Sequence, residues 1–87
     1  MTLHELFEYP YFMLLPMRQK LIAVGLFALA EGGTGIADPV FLKNKILTVE
    51  ADELRTAEIE ADLEAIQKAL PVEVFEEDED RFYRWLA

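Results

Sequence analysis

The chain is 87 residues long, which suits one domain with a single modest core and is too short for two. It is 53% hydrophobic and has no cysteine, so disorder, a disulfide framework and a thiolate metal site are not expected, and an intracellular, cytoplasmic setting is the default. The net charge of −9 lies wholly in the second half: residues 46–87 hold 13 of the 17 acids against four of the eight bases, while residues 1–45 hold four of each. Such a surface disfavours nonspecific attachment to nucleic acid or anionic lipid and favours basic partners. The longest apolar run, Leu21 to Ala30, is about half of the roughly 20 residues needed to cross a bilayer. No basic segment precedes an apolar one near the start, so a signal peptide is not expected.

Thr2-Leu3-His4-Glu5 has the form of a capping box, which predicts a short helix over 3–9 that Pro10 ends. Tyr9 to Leu15 is rich in aromatics and too short for a helix of its own; it reads as an apolar strap across the core. Pro16 suits the first turn of a helix running to about Ala30. Leu21, Ile22, Val24, Leu26, Phe27 and Leu29 leave that helix little polar face, so it should be central and mostly buried. Gly25 in its middle costs about 1 kcal/mol against alanine, which implies a closely packed neighbour. Gly32-Gly33-Thr34-Gly35 reads as a C-cap and loop.

Asp38-Pro39 places an N-cap and a first helical residue together, starting a helix over about 39–47. It should bury Phe41, Leu42 and Ile46, expose Lys43, Asn44 and Lys45, and be followed by a turn. Thr56 then caps the clearest helix: Ile59, Leu63, Ile66 and Leu70 form one stripe at helical period, and Pro71 stops it. Glu58 and Lys68 complement the dipole at its two ends, and Glu64 and Lys68 form a favourable i,i+4 pair. Val72-Glu73-Val74 and Phe82 to Leu86 read as two strands of a hairpin. Between them stand five consecutive acids, Glu76 to Asp80, with no Gly or Asn to set a tight turn, so a long, mobile loop is expected.

The predicted fold is mainly α with a small β-hairpin (α+β), a winged helix-turn-helix. Its parts are an N-terminal helix and strap (1–15), a three-helix core (16–70) and an acidic wing (71–87). The run Arg18 to Ala30, with its Gly25-Leu26-Phe27-Ala28-Leu29-Ala30 segment, leads through a Gly-rich link to Asp38-Pro39 and then Leu42-Lys43. This resembles the N-terminal winged-helix module of phage replication proteins of the replisome-organiser kind. The hairpin segments Leu70 to Phe75 and Arg81 to Leu86 fit the same pattern, and the similarity covers residues 5–87. The resemblance implies a phage or other mobile-element origin, and DNA binding near a replication origin or a role in loading a helicase. The chain departs from it in stopping where such proteins continue into further domains, and in the acidity of its third helix and wing.

Catalytic groups are scarce. His4 is the only histidine and there is no serine or cysteine, so the usual nucleophile–base pairs cannot be assembled and a non-enzymatic role is expected. The acidic tip lacks the alternating spacing and central glycine of an EF-hand loop, so it reads as a solvated turn rather than a metal site. The Gly32–Gly35 segment follows a helix and lacks the Gly-Lys-Ser/Thr ending of a phosphate cradle. No cofactor is expected. Tyr9, Tyr11, Phe12, Tyr83 and Trp85 either fill the core or form a homodimer or partner patch.

Two functional readings follow. In the first, Glu60, Glu64, Glu76, Glu77, Asp78, Glu79 and Asp80 are exposed carboxylates that bind Lys and Arg of a basic, nucleic-acid-handling protein. Acids along a helix and wing would imitate the phosphate array of a duplex, as in a DNA mimic or inhibitor. In the second, the module binds DNA itself through Arg18, Lys43 and Lys45, because each phosphate contact needs a cation.

Overall fold

Local signals set most of the helix boundaries. A computed structural model describes residues 1–47 and 55–86. Five helices and three strands lie in these residues: α1 (Leu3–Glu8), α2 (Pro10–Met13), α3 (Met17–Leu29), β1 (Thr34–Ile36), α4 (Pro39–Ile46), α5 (Thr56–Ala69), β2 (Val72–Glu77) and β3 (Asp80–Trp85). The capping box is formed as expected, Glu5 N–H donating to Thr2 Oγ1 at 3.1 Å and Thr2 N–H to Glu5 Oε1 at 3.2 Å. At α4, Asp38 accepts from Phe41 N–H at 3.2 Å, with Pro39 in the first turn. The helix of α5 begins one residue earlier than its sequence suggests. Arg55 is the N-cap, and its backbone N–H donates to Glu58 Oε2 at 3.0 Å.

The core is built on the α5 stripe. Ile59, Leu63, Ile66 and Leu70 are buried against Leu6, Phe12, Ile22, Leu26 and Leu42, and Val72 and Tyr83 close it from the sheet. Each such side chain contributes about 1.5–3 kcal/mol by leaving water. Gly25 has the close neighbour its position implies. A Cβ there would stand 2.5 Å from Ile46 Cδ1, so α3 and α4 approach each other over a bare backbone.

The strands form one antiparallel sheet in the order β1-β3-β2. Its first strand comes from the segment read as a helix-ending loop. Gly32 and Gly33, with φ of +62° and +82°, make a tight turn, bridged by Glu31 and Thr34 exchanging backbone bonds of 2.8 and 3.2 Å. The chain then pairs Thr34 with Arg84, Gly35 with Tyr83 and Ile36 with Phe82. Gly35 is required because a Cβ would run into the Tyr83 ring.

Three further expectations need correction. The strap contains a helical turn of its own, α2, where Pro10 pre-sets the first dihedral and Phe12 anchors the segment in the core. It does not lie flat on the core, because Tyr11, Met13 and Leu14 face outward. Helix α3 is less buried than its composition implies: Ile22, Ala23 and Leu26 are inside, but Met17, Leu21 and Leu29 are exposed. The acidic tip is not a long loop. Pairing continues through Glu76–Arg81 and Glu77–Asp80 to a two-residue turn at Asp78 and Glu79, whose φ values are +53° and +72°. Asp tolerates the left-handed region because its short polar side chain bonds locally, and the ladder carries Glu79 with it.

The turn expected after α4 lies outside the described residues. No helix among the described residues is long and apolar enough to cross a membrane.

Candidate docking surface

The buried charge among the described residues is fully matched. Asp62, 2% exposed, sits on α5 among the stripe residues and faces α3. Arg18 donates to it twice, from Nε to Oδ2 at 2.6 Å and from Nη2 to Oδ1 at 3.1 Å, and Gln19 Nε2 adds a third bond at 3.1 Å. The bond to Asp62, with its charge, holds the Arg18 guanidinium above its ordinary pKa. A forked guanidinium on a carboxylate is the strongest of the common side-chain pairings. One of the sequence assignments changes here: Arg18 is committed to an internal partner rather than offered to a phosphate.

A second polar tie closes the other end of α3. The Leu26 carbonyl lies in the last turn of the helix, where no later helical N–H can reach it. Tyr83 Oη donates to it at 2.6 Å and Trp85 Nε1 at 3.3 Å. Burial raises the Tyr83 hydroxyl to about 12. Trp85 also packs edge-on against Phe27, with ring centroids 5.6 Å apart. These aromatic residues therefore belong to the core and its caps.

The bases of α5 and the hairpin are each held by an acid. Lys68 Nζ lies 3.5 Å from Glu64 Oε1, Arg81 binds Glu60, and Arg84 binds Glu73 across the β2–β3 ladder. Arg84 also lies over the Phe75 ring, 5.0 Å from its centroid. Glu60 and Glu64 thus stand on the exposed side of α5, but each already has a cation, and the Glu60–Arg81 contact joins α5 to β3. That contact could not be found from the sequence, because the two residues are 21 positions apart on different elements.

Glu76, Glu77, Asp78, Glu79 and Asp80 are all exposed, and none is in an ion pair among the described residues. Pairing places Glu77 directly opposite Asp80, a like-charge juxtaposition that destabilises a ladder. The turn at Asp78-Glu79 presents the remaining carboxylates at the end of a paired ribbon. Among the described residues no three His, Asp or Glu side chains are placed to hold a metal ion. On α4, Lys45 is exposed in the last turn and Lys43 is half-buried.

Comparison with family models, with curated proteins and with solved structures finds no match to this chain.

Proposed function

We propose that this is a winged-helix protein of phage or mobile-element type, non-enzymatic, that docks a basic, nucleic-acid-handling protein through its acidic wing. The order α3-β1-α4-α5-β2-β3 and the sheet order β1-β3-β2 support the winged-helix reading, since that is how such domains set a third helix beside a hairpin. One observation carries the docking reading. Lys68, Arg81 and Arg84 are already paired, while the five acids of the tip are exposed without a cation of their own. A surface in that state repels phosphate and attracts Lys and Arg. Glu60 and Glu64 flank it on α5 and would exchange their present partners for those of the bound protein.

Replacing the five tip acids by Ser and Gly tests this reading. The folded state is expected to survive, and a basic protein captured stoichiometrically from nuclease-treated lysate by the parent chain is expected to be lost. Undiminished capture by the variant would sink the idea. A second reading, a replication-type DNA-binding module, is favoured by the same topology and by the exposed Lys45. It requires salt-dependent duplex binding that Lys43→Glu with Lys45→Glu abolishes, and recovery from lysate that collapses on nuclease treatment.

A further inference from the structure

We infer that the outward side of residues 3–21 is the interface of a homodimer, a surface separate from the acidic wing. Leu3 and Phe7 stand one turn apart on α1, and Met17 and Leu21 stand one turn apart on α3. The α2 turn between them buries only Phe12 and leaves its other apolar side chains outside. In all, seven large apolar side chains along this stretch are at least 42% exposed, and Leu14 and Met17 reach 80% and 81%. At roughly 200 Å² for a large side chain, those fractions amount to about 800 Å² of surface. A standard interface covers about 800 Å² on each partner.

Charge points to a second copy as the occupant. Every copy carries −9, so two copies repel wherever their hairpins approach. With Arg18 taken up by Asp62, the charges that residues 3–21 offer to a partner are Glu5, Glu8 and Lys20. A rim that holds both signs can complement itself across a twofold axis, which an all-acid surface cannot do. Such a mixed rim gives a nucleic acid or a strongly basic protein little to select. Phe, Tyr and Met are the side chains favoured at the centre of interfaces, and this stretch supplies all three.

The test is sedimentation equilibrium of the intact chain over a concentration series, beside the double variant Leu14→Glu, Met17→Lys. These two side chains are almost fully exposed and the exchange is charge-balanced, so the circular dichroism spectrum should not change. The parent chain is expected to sediment at twice its 10.0 kDa mass at tens of micromolar. The variant's dimer dissociation constant is expected to rise at least about a hundredfold. Higher salt should tighten the dimer by screening the two acidic ends, whereas it should weaken docking of a basic protein at the wing. Neutralising the five tip acids should leave the dimer in place, which separates this result from any failure of the wing reading. A parent chain that stays monomeric at every concentration overturns the inference, whether the face then proves to hold vesicles, another protein or a further segment. So does a dimer that persists unchanged in the variant.

Discussion

The interface around α3 and the tip of the β2–β3 hairpin treat polar groups in opposite ways. At α3, Asp62 has three donors and the Leu26 carbonyl has two, and no buried side-chain nitrogen or oxygen among the described residues lacks a partner. At the tip, five adjacent acids have no cation and Glu77 faces Asp80. The first region is built for stability, because an unpaired group in a low dielectric costs several kcal/mol. The second tolerates unpaired charge only because water screens it, and the repulsion it retains is available to a cationic partner.

Making the first region resemble the second should have the largest effect. Arg18→Ala leaves the Asp62 carboxylate buried with only Gln19, and a loss of about 3 kcal/mol is expected in urea unfolding. Asp62→Ala should cost less, because the Arg18 side chain is 40% exposed and can turn back into water. Equal losses from the two substitutions would contradict this account of the pair.

The Tyr83 tie sharpens the contrast through pH. With its hydroxyl raised from 10 to about 12, folded Tyr83 holds its proton where the unfolded chain has released it. Stability should therefore be unaffected by this group below about pH 10 and fall by about 1.4 kcal/mol per unit between there and 12. Tyr83→Phe should remove that slope at a cost near neutrality of about 1 kcal/mol, since Trp85 keeps its bond to Leu26. An identical alkaline slope in the Phe variant would rule Tyr83 out as its source.

The smallest effect should come from the tip, and with opposite sign. Asp78→Asn with Glu79→Gly supplies the residues that a turn with two positive φ values prefers and removes two like charges. Thermal unfolding should show a gain of roughly 1 kcal/mol. A loss would mean that the acidic side chains support the turn in a way the backbone angles do not reveal.

Much of the fold is legible in particular residues. Thr2 with Glu5, Asp38 with Pro39, and the stripe from Ile59 to Leu70 each announce a helix through a local rule, and the structure follows all three. Strand β1 is not legible in the same way. Three residues beside a pair of glycines have no periodicity to detect, and only the distant β3 gives Thr34 to Ile36 a partner. The hairpin turn departs from its local signals for a related reason, because ladder pairing imposes a conformation that the turn residues themselves disfavour. Asp62 did carry a signal. It lies three residues after Ile59 and four before Ile66, inside the buried stripe, where a carboxylate requires a partner. Its partner Arg18, 44 positions away, has no such local mark.

The bond from Tyr83 to the end of α3 has a kinetic consequence. It joins residues 57 positions apart, and β1 likewise pairs with a strand, β3, that lies more than forty positions later in the sequence. The last turn of α3 and the sheet therefore complete together, after most of the chain has been closed into a loop. Contacts of such high order slow folding relative to a helical bundle of the same size. Cutting the chain between α4 and α5 would part β1 from its partner strand and leave β3 of the hairpin with an open edge.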